Sequence, residues 1–300
     1  MEGVMMRAPT KWAVACRRPD GSIITQRNDL PSLSGKSRWR KVPFVRGVLV
    51  LGESLSLGFK ALSWSAVQSG AEEEDELSKG QVFWTMAFAV LVAVALFILA
   101  PAFAADYLKT FVGDSSLGFV VIDGILRIAL IVLYIWAISK SKEIARVFQY
   151  HGAEHKTIHA YENGDPLTID AIQAYSPRHP RCGTSFILIV GMVAFIVFLA
   201  LAPLAFVWQV VARIVLIPII AGLSYEVLKL GANSNWMSWA NQPGIWLQRI
   251  TTSEPSDDMV EVAVASLIAA LSDEETDAVA ERGPIVAAAL AAEREEPSDG

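Results

Sequence analysis

A chain of 300 residues that is 53% hydrophobic and only 19% charged, with a mean hydropathy of +0.40, is too apolar for a soluble protein of this length. Several uninterrupted apolar runs exceed the roughly 18 residues at which a membrane helix becomes the default reading, which argues against a soluble enzyme or a nucleic-acid module. The net charge of −6 hides an asymmetry: residues 1–60 hold 11 Lys/Arg against 4 Asp/Glu, while residues 229–300 hold 4 against 13, so a basic N-terminal region and an acidic tail are separated by membrane.

In chain order, residues 1–43 read as a cytoplasmic β-hairpin region. Trp12-Ala13-Val14-Ala15-Cys16 and Ile23-Ile24-Thr25 flank the turn residues Pro19-Asp20-Gly21, and a polar Ser/Arg-rich stretch follows over 28–41. No cleavable signal peptide is expected, because the first apolar run begins beyond residue 40. Residues 44–67 are apolar but carry Arg46, Glu53 and Lys60 seven apart, with Arg46 and Glu53 placed to pair on one face. That pattern predicts an interfacial or re-entrant helix, the alternative being a fifth span that would move the basic N-terminus outside. Residues 68–81, with Glu72-Glu73-Glu74-Asp75-Glu76, read as a solvated acidic linker.

Four runs can cross about 30 Å of hydrocarbon as helices, near 82–104, 117–138, 185–207 and 210–230. The second contains Asp123 and Arg127, one turn apart and able to neutralise each other, and the fourth contains Arg213 and Glu226. The 139–184 segment is rich in Lys and Arg and the 105–116 connection has only Lys109, which places both termini and 139–184 in the cytoplasm of a multi-pass plasma-membrane protein. Residues 231–271 form a cytoplasmic helical region. Within it, Trp236, Trp239 and Trp246 suit either an aromatic belt or a small cytosolic core, and an amphipathic helix capped by Ser256 should follow. Residues 272–300 are an acidic, Ala-rich tail expected to be peripheral or disordered. The fold class is therefore an all-α polytopic membrane protein of about four transmembrane helices, with a small N-terminal β-hairpin and a cytoplasmic helical region.

All four histidines, His151, His155, His159 and His179, fall within 139–184. On a helix stopped by Asn163-Gly164, and taking His151 as zero, Glu162 lies near +20°, His155 near +40°, His159 near +80° and Glu154 near −60°, all on one face. His151 and His159 are about 12 Å apart along the axis, so one ion can take His151 with His155 or His155 with His159 but not all three. His179 and Cys182, in Ser176-Pro-Arg-His-Pro-Arg-Cys-Gly-Thr184, are the natural completing ligands, and Glu226 could supply a third carboxylate. Imidazole and thiolate favour a divalent transition metal, zinc ahead of iron. Glu154 suits a general base better than a ligand. His-x-x-Glu-His is also the inverted zincin string, but without its usual α/β context. The competing reading is a polar helix face held by hydrogen bonds without metal. Lys156, Arg178 and Arg181 make the segment electropositive, which suits an anionic headgroup as substrate or attachment to a membrane. Cys16 and Cys182 are too few for a disulfide framework and fit reduced, cytosol-facing surroundings.

Several strings occur together: Glu2-Gly-Val-Met-Met-Arg7, Arg46-Gly with Glu53-Ser, His151-Gly-Ala-Glu-His-Lys-Thr-Ile-His-Ala-Tyr-Glu162, Pro177-Arg-His-Pro-Arg-Cys-Gly-Thr-Ser185, Ala221-Gly-Leu-Ser-Tyr-Glu226 and Pro243-Gly-Ile-Trp-Leu-Gln248. Over roughly residues 1 to 270 the chain resembles the YqhQ-like family of bacterial membrane proteins, whose function is not established and whose members are commonly labelled predicted metal-dependent enzymes. The resemblance also implies a short Gly-Gly-Gln-Ala-Val-Ile-like lead before Glu2, hence a strand start missing here, and it excludes the tail. The expected activity is that of a metal-dependent hydrolase or transferase on a membrane lipid or other amphipathic substrate, with His151, His155, His159, Glu162, His179 and Cys182 as candidate ligands and Glu154 moving the proton. The alternative is a non-enzymatic metal- or haem-handling protein or an assembly factor with a membrane-protein partner. A transporter is disfavoured because no inverted repeat with broken helices is evident. No nucleic-acid partner is expected.

Overall fold

The computed structural model describes residues 2–30, 42, 45–68, 79–112, 115–180, 182–202, 204–233 and 241–295. The Glu72–Glu76 acidic run, Arg181, Trp236 and Trp239 lie outside the described residues.

The expected hairpin is the pairing of β2 (Lys11–Arg17) with β3 (Ile23–Asp29), turning at Gly21, whose φ of +89° is the left-handed conformation that glycine adopts without penalty. It belongs to a larger sheet of order β1-β2-β3-β4, in which β1 (Gly3–Arg7) pairs antiparallel with β2 and β4 (Glu293–Glu295) pairs parallel with β3. Strand β2 is apolar on both faces because both are covered. Ala13 and Ala15 face a core built with Val4, Met6 and Ile23, whereas Trp12 and Val14 face Leu57 and Ala61 of helix α1 (Val45–Gln68).

Helices α2 (Lys79–Val94) and α3 (Ala100–Val112) are joined through a π-helical turn at Ala95–Leu99, and α4 covers Ser116–Ile138. Two helical stretches, Trp84–Leu108 and Leu117–Ile138, are long and apolar enough to cross a membrane. Along the first, Trp84, Met86, Phe88, Val90 and Leu91 point outward, an apolar surface too large for water to face. The other two expected spans are less regular. Residues 185–207 yield α7 (Ser185–Ala200), whose 16 residues reach about 24 Å, short of a full crossing. Residues 210–230 fall in α8 (Phe206–Val215) and α9 (Ile217–Asn233), bent by 57° between them, a third candidate span if the pair is one crossing. The chain is thus mostly helical, with two to three candidate spans and a small four-stranded sheet.

Helix α1 lies against α9 through small residues: a Cβ on Gly47 would meet the Tyr225 Cβ at 2.8 Å and the Gly222 Cα at 3.0 Å. Arg46 closes this contact with a two-pronged pair to Glu226, and Glu53 accepts from Arg7 at 3.2 Å. The expected Arg46–Glu53 pairing is therefore replaced: both side chains reach other elements, because α1 is packed between the bundle and the sheet.

Beyond α9 come α10 (Gln242–Thr251) and α11 (Asp257–Ala270). The expectation of an amphipathic α11 fails. Eleven of its residues, from Met259 to Ala270, are buried, since the sheet covers one side and the histidine-bearing helix the other, and Ser256 makes no side-chain capping bond. A peripheral tail also fails for the described residues. The α12 helix (Asp273–Glu281) starts with a Ser272/Glu275 capping box, and Val279 and Ala289 are buried in the same core.

Gly47→Leu should lower the thermal unfolding temperature of the detergent-solubilised protein, by an equivalent of about 1–3 kcal/mol for forced overpacking. Gly52→Ala, where a Cβ meets nothing within 4 Å, should leave it unchanged or raise it slightly.

Candidate metal centre

Helix α5 (Lys142–Asn163) begins after a break at Ser139–Ser141 and stops at Gly164, whose φ of +80° accepts the left-handed cap that Asn163-Gly164 announces. Its two faces have opposite chemistry. Tyr150, Ala153 and Ala160 enter the core beside α11, and the histidines occupy the other side. Two segments cover that side: the loop from α6 (Ile169–Gln173) to α7, described at Ser176–Pro180 and Cys182, and the stretch after α10. Gly152 is the point of closest approach, where a Cβ would lie 2.0 Å from the Ser253 carbonyl oxygen, and the Ser253 N–H donates to the Phe148 carbonyl at 3.0 Å.

These segments aim backbone carbonyls at the histidines. His151 Nδ1 lies 2.8 Å from the Thr251 oxygen, His155 Nδ1 is 2.7 Å from that of Pro177, and His159 Nε2 is 2.9 Å from that of Arg178. A carbonyl can only accept, so the facing ring nitrogen carries the proton, and neutral His151 and His155 keep a lone pair on Nε2. His151 Nε2 lies 3.2 Å from Cys182 Sγ. Cys182 in turn accepts from the Thr184 N–H at 3.4 Å and lies 3.1 Å from the Thr184 hydroxyl, at the start of α7.

His151, His155 and Cys182 form a cluster that could hold a metal ion, each offering one ligand atom within 4.8 Å of the others. His155 and Cys182 are buried at 3% and 5% exposure, and His151 is half-buried. A cavity of about 400 Å³ opens onto it, with Glu154, Glu162 and His179 also in its lining. Burial pushes the Glu154 carboxyl above its usual range, and nearby His151 offsets only part of that.

His159, Glu162 and His179 lie beside this group rather than in it. His179 Nε2 is 3.3 Å from a Glu162 oxygen, its ring centroid is 4.5 Å from that of His159, and His159 stacks on Tyr175. Burial and the neighbouring His159 pull His179 down to about 4 against the opposing pull of Glu162, so the ring is neutral at neutral pH. Two expected contributors are engaged elsewhere. Glu226 is held by Arg46, and the buried Lys156 ammonium pairs with Glu254 and donates to the Gln173 carbonyl at 3.0 Å, so it adds no positive charge to the cavity.

Sequence reasoning missed Gln248, Thr184 and the Thr251 carbonyl. Gln248 is fully buried, accepts from the His179 N–H at 2.8 Å and donates to the His179 carbonyl at 2.9 Å, which fixes the loop. Its signal was a polar residue within the helically spaced set Gly244, Leu247, Gln248 and Thr251, all buried.

The family of proteins of unknown function DUF1385 matches residues 42–273. The chain belongs to this family. It is 35% identical over 286 residues to the uncharacterized protein YqhQ of Bacillus subtilis (strain 168), an alignment covering 89% of this chain and 88% of that protein. The matched region contains all of α5, the Ser176–Cys182 loop and α10, so the cluster and its carbonyl supports lie inside the family's shared part. No solved structure matches the chain.

Gly152→Ala should push the Ser253 segment off α5 and so free the His151 ring, lowering both unfolding temperature and metal affinity, whereas Gly183→Ala, with nothing near its Cβ, should change neither. A pH series on metal-free protein tests the buried His179. Its folded pKa of about 4 lies below the unfolded value near 6.5. Below 6.5 the unfolded chain binds the extra proton, so stability falls as the pH drops from 6.5 towards 4 and the contribution is flat above and below. His179→Gln should show a shallower fall across that window.

Proposed function

We propose that the chain is a multi-pass plasma-membrane enzyme, with both termini cytoplasmic, in which a divalent transition metal supports hydrolysis or group transfer on an amphipathic or anionic substrate at the cytoplasmic face. The reading rests on one observation: two imidazoles and a cysteine sulfur converge within 4.8 Å while backbone carbonyls hold the distal nitrogens of both rings. Such outer supports are what a metal-ligating histidine requires, and a mixed nitrogen and sulfur set suits zinc ahead of iron. Three protein ligands leave a position open, as catalytic zinc sites do. A zinc ion bound there would supply a Lewis acid that polarises a carbonyl or phosphoryl oxygen.

This chain's own residues provide the rest. Glu154, in the cavity wall beside His151, takes a proton from the attacking water or hydroxyl and returns it to the leaving group. Glu162 with His179 forms a polar rim that orients the substrate, with His159 behind it. An amphipathic substrate is supported by a second, apolar cavity of about 310 Å³, lined by Met5, Val14, Ala61, Leu62 and Tyr150 and sharing His151 and Glu154 with the first. A chain lying between the sheet and α1 would present its polar end to Glu154.

Elemental analysis of purified protein should find about one transition metal per chain in the wild type and a clear loss in His155→Ala. Glu154→Gln should keep its metal yet fail to complement a loss-of-function strain. Full complementation by Glu154→Gln would leave a metal-handling role in place of an enzyme, and an absence of metal in the wild type would remove both. For the topology, engineered cysteines at Asp114 and Thr168 should differ in access to an external reagent, and equal protection would refute the orientation.

A further inference from the structure

Away from the histidine cavity, the helix bundle buries an unbalanced set of charges. Asp123 of α4 is 1% exposed and accepts from two arginines: Arg213 of α8 at 2.9 Å, itself 2% exposed, and Arg127 at 3.1 and 3.3 Å. The sequence reading pairs Asp123 with Arg127 alone; among the described residues the second guanidinium leaves one positive charge in excess between apolar helices. A buried charge of this kind is costly unless something neutralises it.

Hydrogen bonding is unbalanced in the same direction. Each guanidinium has five N–H donors. Arg127 also donates to the Phe97 carbonyl at 2.7 Å, an acceptor within the π-helical turn, and Arg213 lies over the rings of Phe119 and Phe198 at 5.2 and 5.0 Å. Even so, the Nε of each arginine is buried with no partner among the described residues. Both arginines line a cavity of about 390 Å³ whose other walls are apolar, among them Leu51, Ile131, Val190 and Ile220. Ile187, 40% exposed, extends that lining to the outer surface of the bundle, the side from which a lipid-borne molecule would enter.

We infer that this cavity binds an amphiphile carrying a single negative charge, its phosphodiester or carboxylate received by Arg127 and Arg213 and its apolar chain by the remaining walls. One anion neutralises the excess charge, and planar guanidinium suits both groups. An inorganic anion would leave its remaining oxygens facing hydrocarbon. The site is separate from the histidine cluster: Asp123 lies 15 residues before the end of α4 at Ile138, about 22 Å along the helix.

Calorimetric titration of the full-length protein in neutral detergent tests the inference with four probes: phosphatidylglycerol, laurate, a diacylglycerol of matched chains and inorganic phosphate. At least one of the two charged amphiphiles should bind at one per chain and at least tenfold tighter than the diacylglycerol, and which of them binds tells a phospholipid from a fatty acid. Arg213→Gln should weaken binding at least tenfold at unchanged elution and unfolding temperature. Ile187→Trp, at a partly exposed position, should also weaken it by filling the cavity with the charges intact. Binding of the neutral lipid as tight as that of the charged one, binding of neither charged amphiphile, displacement by inorganic phosphate at matched concentration, or wild-type affinity in both variants would each overturn the proposal. The wild-type probe comparison decides even if Arg213→Gln does not fold.

Discussion

Three backbone carbonyls, those of Thr251, Pro177 and Arg178, each hold one nitrogen of a histidine on α5, and the candidate centre depends on that arrangement. A histidine at four-residue spacing on an exposed helix is free to rotate, to protonate and to point at water. Tied by one ring nitrogen to a fixed acceptor, it has in its neutral form one tautomer, one orientation and one free lone pair. The carbonyls lie within reach only because Gly152 lets the stretch after α10 rest on the helix at a separation no other residue allows, and because Gln248 clamps the loop main chain at His179.

The remaining elements serve to hold those two segments in place. The buried α11 helix joins the back of α5 to the sheet, with Val260, Ala263 and Leu267 in one core with Tyr150 and Ala160, and the tail closes that core with Val279 and Ala289. On the side of the helix bundle, Ile135, Leu188 and Leu247 pack together and couple α4, α7 and α10. The centre therefore sits where the ends of bundle helices meet the sheet-and-helix body. Thr184, at the start of α7, reaches Cys182 from the bundle, while Thr251 reaches His151 from the far end of α10.

How much of this was legible in the sequence follows from the range of the interactions. The hairpin, the first two spans and the common face of His151, His155, His159, Glu154 and Glu162 follow from local periodicity and turn chemistry, which the chain carries at close spacing. Cys182 was within reach because proline-rich Pro177–Cys182 is short and leads directly into an apolar helix. What was not legible depends on distant partners. Arg46 meets Glu226 and not Glu53, Lys156 turns away to Glu254, and Arg213 joins Asp123 across 90 positions. The α11 helix misleads for the same reason: only the tertiary structure shows that the sheet and α5 between them bury eleven of its fourteen residues. The ordered tail combines poor core composition with a capping box and a few alanines that fit a closely packed gap.

The central claim is that His151, His155 and Cys182 act together as one ligand set. X-ray absorption at the zinc edge of the loaded, full-length protein reads that set directly. The account expects one sulfur at about 2.3 Å with two imidazole nitrogens at about 2.0–2.1 Å, and loss of the sulfur shell in Cys182→Ser. A first shell of nitrogen and oxygen alone in the wild type would contradict it, because the metal would then sit at another part of the histidine face and the convergence of Cys182 on His151 would have a purely structural meaning.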